Sequence, residues 1–445
     1  MERIAIIADD LTGASDTGIQ FRKYGLETLV IVDYQNIDGG DTGKQVWSVN
    51  ADTRSLSAAE AYGRVYSVAK KLKALGFKRI YKKLDSTLRG HPGTELEAVM
   101  DALVADVAVV VPAFPANGRV MVKGRLRWGS AAAPGIAGTK ESDDPQQGST
   151  CDVPGLLQGS MGRQVGSIHL ETVRRGEEEL ARAMEALRQE GKEVLVLDAA
   201  EEEDLAAIAR ACSTLKGEIV IAGAAGLAAH LPAAWGLIPP ASPAVLPGGL
   251  TLLVAGSRNP VTAGQVQQVL GGCRATLVKV ATAAVAAGRG AEEVEKAVAA
   301  VQTLLSSEGP ALLVVAVDSL WEAGGADNVE TEGASPQSKA VAGVLAEIAR
   351  RVVAGGRVRS LVVTGGDTAV HICRALGARG IDLDTELLPG IPLGRLLGGM
   401  ADDLPVVTKA GGFGPPDAFV RVVEYLQDPG LAVISGNKRT NLERR

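Results

Sequence analysis

Apolar runs of strand length alternate with amphipathic stretches of helical period along almost the whole chain. In the first half the strand pattern falls on Arg3 to Ala8, Glu27 to Val32, Gln45 to Asn50, Arg79 to Lys82, Val107 to Val111, Glu193 to Leu197 and Ile219 to Ala222, and helical periods such as Ala58 to Leu75 and Glu177 to Glu190 lie between them. That order is the sequence form of repeated strand–helix–strand units, which fold as parallel sheets covered by helices. The proline-rich stretch Leu237-Ile238-Pro239-Pro240-Ala241-Ser242-Pro243 interrupts the alternation, and a strand at Leu250 to Ala255 restarts it. Further strands are expected near Ala275 to Lys279, Ala311 to Ala316, Ser360 to Thr364 and Pro405 to Lys409. The pattern predicts an α/β protein of two doubly wound, mostly parallel-sheet domains with a cleft between them, over residues 1–238 and 249–435, with a linker at 239–248 and a tail at 436–445. Gly129 to Gly159 is rich in Gly, Ala, Ser, Pro and Gln without a period, which predicts a long loop or partly disordered excursion.

Composition narrows this picture. A chain of 445 residues exceeds what one core serves and fits two domains of roughly 200 residues each. Hydrophobic residues make up 46% but aromatics only 3%, so the interior must be built from Ala, Val, Leu and Ile, the material of buried parallel sheets. The 54 glycines exceed average usage of about 7% and cluster at strand-to-helix turns. A net charge of -6 offers no dominant basic face for nucleic acid or an anionic membrane, so an anionic small molecule would need a local basic pocket. No apolar run reaches the length of a membrane span, and the simplest expectation is a soluble cytoplasmic protein. Cys151, Cys212, Cys273 and Cys373 are far apart and lack metal or disulfide spacing, so they read as ordinary thiols.

In open parallel sheets ligands sit outside the carboxyl ends of the strands. Asp9 and Asp10 end the first strand, and Thr12-Gly13 open the following helix. A helix cap needs one carboxylate. Two in succession favour function, and Asp10 could accept a proton from a substrate hydroxyl or help hold a metal-bound phosphate. Lys83-Leu84-Asp85-Ser86-Thr87-Leu88-Arg89 after the fourth strand is the densest polar constellation in the chain, with Arg54 at the equivalent end of the third. Cations flanking hydroxyls such as Ser86 suit a carboxylate-bearing polyol. His91, just before Pro92, reads as structural.

The second half offers bare backbone instead. Gly365-Gly366-Asp367-Thr368, Ala255-Gly256-Ser257 and Gly411-Gly412-Phe413-Gly414 each follow a strand, and such turns let an anion approach unpaired N–H groups. Three of them in one domain point to a nucleotide site. Neither the phosphate-loop sequence ending in Gly-Lys-Ser/Thr nor a dinucleotide fingerprint occurs.

Ile7-Ala8-Asp9-Asp10-Leu11-Thr12-Gly13-Ala14, Lys82-Lys83-Leu84-Asp85-Ser86-Thr87-Leu88-Arg89-Gly90, Val111-Pro112-Ala113-Phe114-Pro115-Ala116-Asn117-Gly118-Arg119 and Lys409-Ala410-Gly411-Gly412-Phe413-Gly414 together resemble the four-carbon acid sugar kinase family over nearly the whole chain. The resemblance implies an N-terminal substrate domain, a C-terminal nucleotide domain and phosphorylation of threonate, erythronate or 3-oxo-tetronate by ATP. It implies ATP contacts from Ser257, Gly365, Gly366, Asp367, Thr368 and Gly411, with Gly412 in the same turn, and a sugar-acid pocket of Asp9, Asp10, Arg54, Lys83, Asp85 and Arg89. Asp367 stands where many members carry Glu. Gly124 to Gly159 departs from the family pattern, and no site residue is carried over there.

The expected reaction is transfer of the γ-phosphoryl group to a terminal hydroxyl in sugar-acid catabolism, with Mg²⁺ neutralising the phosphates and Asp10, or secondly Asp85, as the base. Two rivals are weighed. An aspartyl-phosphate hydrolase would need a second Asp at Leu11 or Thr12, so the register is against it. A non-catalytic sugar-acid sensor would not need the glycine turns. The scattered apolar helices are compatible with a monomer or a homodimer, and the sequence leaves the stereoisomer of the substrate open.

Overall fold

The computed structural model describes residues 3–37, 43–128, 149–237, 248–257, 259–306, 311–321 and 336–427. The expected tail and all but Gly248 of the expected linker lie outside them. The strands of the first half are β1 (Ile4–Ala8), β2 (Thr28–Ile31), β3 (Val46–Asn50), β4 (Arg79–Lys83), β5 (Val107–Val111), β6 (Arg119–Val122), β7 (Arg125–Trp128), β8 (Ser149–Asp152), β9 (Val165–Ile168), β10 (Val194–Leu197) and β11 (Ile219–Gly223). Those of the second half are β12 (Leu250–Ala255), β13 (Ala275–Val280), β14 (Leu312–Val317), β15 (Val358–Thr364), β16 (Gly380–Leu388), β17 (Ile391–Leu397) and β18 (Pro405–Lys409).

The first half places β2-β3-β1-β4-β11-β5-β10-β9 side by side, all parallel, and the second places β13-β14-β12-β15-β18 likewise. Central strands such as β5, Val-Ala-Val-Val-Val, are buried along their whole length, as helices on both faces require. Helix Ala58–Ala74 starts at Ser57, whose side chain takes part in a capping box with Glu60.

The two sheets are not separate. The hairpin of β16 and β17 extends the second sheet antiparallel to β18, and β16 then pairs antiparallel with β2, with Ile381 opposite Val30. One fifteen-stranded sheet results, crossing from one half of the chain to the other. Helix Leu11–Arg22 lies along this junction and is buried through Phe21. Its small residues allow that position: a Cβ on Gly18 would come within 3.0 Å of Leu383 and 3.2 Å of Thr28. Ala14 and Ile19 of this helix share an apolar cluster with Leu383 and Leu393 of the hairpin.

Strands β6, β7 and β9 were not among the expected elements, and two further regions depart from them. The β16–β17 hairpin was not expected, although Ile381-Asp382-Leu383-Asp384 alternates and Pro389-Gly390 marks a turn. Within Gly129 to Gly159, expected as a long loop, residues 149–159 instead form β8 and helix Val153–Gln158; β8 pairs with β7, which pairs with β6, in a small antiparallel sheet. Asp152 caps that helix by accepting from the Gly155 N–H. Residues 129–148 lie outside the described residues.

Candidate active site

At the end of β1, Asp10 caps helix Leu11–Arg22: the Gly13 N–H donates to its Oδ1 at 2.8 Å and Thr12 Oγ1 to its Oδ2 at 2.7 Å. Asp9 does no capping. Its Oδ2 accepts from Arg54 Nε at 2.7 Å, and its Oδ1 is buried with no hydrogen-bond partner among the described residues. Arg54, beyond β3, reaches three carboxylates with one guanidinium: Asp9, Asp10 at 3.0 Å and Asp85 at 3.0 Å.

Asp85, beyond β4, is held further by a two-pronged contact from Arg89 at 3.0 and 2.8 Å and by Thr87 Oγ1 at 2.6 Å. Lys83 Nζ donates to the Leu84 carbonyl at 2.8 Å and lies 3.2 Å from where a Gly13 Cβ would be. Ser86 is buried in the same turn. Asp9, Asp10, Arg54, Lys83, Asp85, Ser86 and Arg89 are therefore gathered at the carboxyl ends of three adjacent strands. Burial opposes charge on Asp10, but Arg54, Lys83 and Thr12 overcome it and hold this carboxyl below its ordinary range. Asp85 is held well below its range against the same burial, chiefly by Arg89 and Arg54. Burial likewise opposes charge on Arg54, and the three carboxylates raise it well above its ordinary value. His91 donates from Nε2 to the Leu56 carbonyl at 2.6 Å, a structural role.

In the second half β12, β15 and β18 are neighbours, and their carboxyl ends bring Ser257, Gly365 to Thr368 and Gly411-Gly412 together. Gly365 has φ 102°, open to glycine at little cost, and stands 3.5 Å at its Cβ position from the Ser257 nitrogen. A side chain on Gly411 would collide with Ser257 Oγ. Helix Gly366–Ala375 starts without a side-chain cap, with Asp367 open to solvent and Thr368 buried. Its first N–H groups are thus available to an anion.

Three residues that support the last turn were not anticipated. Lys409 is fully buried, and its Nζ donates to the carbonyls of Ala410, Gly411 and Phe413 at 2.9, 3.0 and 3.0 Å. Gln265 donates to the carbonyls of Phe413, Gly414 and Pro415, and Thr262 to that of Gly411 at 2.9 Å. Burial without a counter-ion lowers the Lys409 pKa to about 7. In the sequence Lys409 ends a strand-like run and opens a run that carries the family resemblance, but nothing there gives it a role.

The two clusters face one another. A Cβ on Gly366 would lie 2.5 Å from Asp10 Oδ2, so the first turn of the second-half helix abuts the carboxylate of the first half. Arg374 on that helix pairs with Asp33 at 3.3 Å and Asp52 at 3.1 Å. On the other flank Phe114 meets Phe413 edge to face at 6.3 Å.

Known proteins match this division. Residues 4–231 match a model described as a sugar-binding N-terminal domain, and residues 252–419 one described as a nucleotide-binding C-terminal domain. The chain belongs to the four-carbon acid sugar kinase family. It is 33% identical to a D-erythronate kinase of Heliobacterium modesticaldum (96% of this chain, 97% of the relative). It is 30% identical to a D-threonate kinase of Salmonella typhimurium (96% and 99%) and 30% to a 3-oxo-tetronate kinase of Cupriavidus necator (95% and 97%). A crystal structure from Salmonella typhimurium LT2, described provisionally as a tRNA synthase, superposes with a TM-score of 0.74 at 26% identity, covering 95% of this chain and 99% of that one. As a family member the protein is a kinase, a phosphotransferase acting on an alcohol group. No helix among the described residues is long and apolar enough to cross a membrane.

Proposed function

We propose that the protein transfers the γ-phosphoryl group of ATP to the terminal hydroxyl of a four-carbon acid sugar of the threonate, erythronate or 3-oxo-tetronate type, with residues 1–238 holding the sugar acid and residues 249–435 the nucleotide. The observation that carries this reading is the approach of Gly366 to Asp10, which brings a carboxylate and a phosphate-binding turn to one point. In the reaction the hydroxyl oxygen forms a bond to the γ-phosphorus, the bond to the β–γ bridging oxygen breaks with its electron pair leaving on ADP, and the hydroxyl proton passes to Asp10. A weakly basic carboxylate suffices, because bond breaking runs ahead of proton loss in a loose phosphoryl-transfer transition state. Asp85 is the weaker candidate base, since Arg54, the fork of Arg89 and Thr87 crowd its oxygens with more donors than the Gly13 N–H, Thr12 and Arg54 give to Asp10.

Arg54 and Arg89 keep 23% and 52% of their side chains exposed, so with Lys83 they can still meet the substrate carboxylate while Ser86 meets a hydroxyl. The closeness of Gly365, Gly366 and Gly411 to their neighbours fits a backbone cradle for phosphates, completed by Ser257, Gly412, Asp367 and Thr368. Asp9, with its unpartnered buried oxygen, is the hard donor that would hold Mg²⁺ together with phosphates. Mg²⁺, when bound, would neutralise phosphate charge.

The test is ADP release with Mg-ATP against D- and L-threonate, D- and L-erythronate and their 3-oxo relatives. Turnover with at least one four-carbon acid is expected. Tight binding of both ligands with no turnover across the panel would leave a sensor, and the kinase mechanism would fall.

A further inference from the structure

Apart from Phe114, the run from Val111 to Arg119 takes no part in the site as described so far, yet it leaves the sheet beside it. From β5 the chain passes through a short 3₁₀ turn, Pro115–Asn117, into β6, and Arg119 is fixed by two backbone hydrogen bonds with Phe114, at 2.8 and 3.0 Å. Its side chain then crosses to the second half. The guanidinium carbon lies 5.2 Å from the Phe413 ring centroid, and Nη2 lies 3.7 Å from where a Gly412 Cβ would be. Nη1 donates to the Asn117 carbonyl. Nε is buried without a hydrogen-bond partner among the described residues.

The other cations nearby are already engaged, by carboxylates or by backbone carbonyls. Arg54 and Arg89 sit on the carboxylates of Asp9, Asp10 and Asp85; Lys82 is paired with Glu95 at 2.8 Å in full burial; and Lys409 faces backbone carbonyls. Arg119 has no carboxylate within ion-pair distance among the described residues, although Asp85 attracts it and Arg89 repels it at longer range. Burial outweighs that attraction and lowers its pKa, the mark of a cation lacking its counter-ion. A planar guanidinium with an unused buried donor, set against a glycine turn, matches the oxygens of a phosphoryl group.

We propose that Arg119 reaches from the sugar-acid half to the Gly411-Gly412 turn to bind the phosphoryl group as it moves from ADP to the substrate hydroxyl. This rests on the kinase reading above. Bond making and breaking are those already given; Arg119 exchanges no proton and contributes charge and two-pronged hydrogen bonds to the equatorial oxygens, which is worth most where charge is spread in the transition state. The contact with the Phe413 ring holds the guanidinium at the turn beforehand, so little reorganisation accompanies the transfer.

The experiment compares wild type with Arg119→Ala and Arg119→Lys in the full chain. It reads kcat, the Kd for ADP, the Kd for ADP with fluoroaluminate and sugar acid, and recovery of rate with added guanidinium at millimolar concentration. For Arg119→Ala, kcat should fall on the order of a hundredfold to a thousandfold, as for other transition-state donors, with the ADP Kd within about threefold. The tighter binding of the fluoroaluminate complex should vanish, and guanidinium should restore part of the rate. Arg119→Lys keeps the stem and charge but loses the fork, and it should fall by about tenfold with ADP binding kept; it carries the test if the alanine variant does not fold. A kcat within twofold of wild type in either variant, or a rate loss matched by lost ADP binding and not rescued, overturns the assignment while leaving the kinase reading intact. Absence of turnover in wild type overturns both.

Discussion

The two faces of the cleft recognise their ligands by opposite means. The sugar-acid face is made of side chains: three carboxylates and two arginines locked into one network around Arg54. The nucleotide face is made of backbone, where Gly365, Gly366 and Gly411 matter for the side chains they lack and Lys409, Gln265 and Thr262 hold the last turn from behind. A charge network tolerates no change of charge; a backbone cradle tolerates no change of volume. The difference follows from the ligands, since hydroxyl and carboxylate geometry must be read group by group, whereas phosphate is bound wherever N–H groups converge.

Substitutions that swap those tolerances give the sharpest contrasts. Gly366→Val has the largest expected effect, because its Cβ would enter the Asp10 carboxylate, which Thr12 and Arg54 hold in place. Turnover should drop at least a hundredfold with the melting temperature little changed; normal kcat would mean that the two faces do not meet in catalysis. Arg54→Met should come next, leaving Asp9 without its cation and Asp10 and Asp85 each short of one, and lowering stability by about 3 kcal/mol in denaturant titrations. Its loss should shrink at acid pH, where those carboxylates protonate.

Asp16, buried in the junction helix, has its carboxyl pushed up to about 7, chiefly by burial and against the pull of Lys83. For a carboxyl raised in the folded state, the native form binds more protons than the unfolded one between about pH 4 and 7. Stability therefore falls across that window as pH rises, by up to about 1.4 kcal/mol per pH unit. Asp16→Asn should flatten the slope, and an unchanged slope in pH-dependent melting would show that Asp16 is not the group responsible. The smallest effect is expected for Gly411→Ala. Its neighbour is the Ser257 hydroxyl, a side-chain end that can turn aside, so KM for ATP should rise less than tenfold. A complete loss would mean that this turn grips its ligand as tightly as Gly366 does.

Much of this was legible in the sequence because it is local. Runs such as Val107 to Val111 and Pro405 to Lys409 become strands at those positions, and residues just beyond strand ends, from Asp9 to Thr368, gather as the parallel-sheet rule requires. What escaped depends on partners far along the chain. The hairpin of β16 and β17 joins two sheets because Ile381 finds Val30, more than three hundred residues away, and nothing in either segment alone announces that pairing. The stretch at residues 149–159 reads as loop because it closes a run without a period that is rich in Gly, Ala, Ser, Pro and Gln, yet Asp152 caps a short helix there. Lys409 and Arg119 lie in runs that carry the family resemblance, yet the sequence gives neither a role, because their meaning lies in the carbonyls and the ring they meet.

The most direct test of the shared site is Asp10→Asn, measured as kcat together with the Kd values for ATP and for the best four-carbon acid. If Asp10 takes the hydroxyl proton at the point where the two faces meet, kcat should fall about a hundredfold or more while both Kd values stay within about threefold of wild type. Near-wild-type kcat with normal binding of both ligands would contradict that role and the active site built around it.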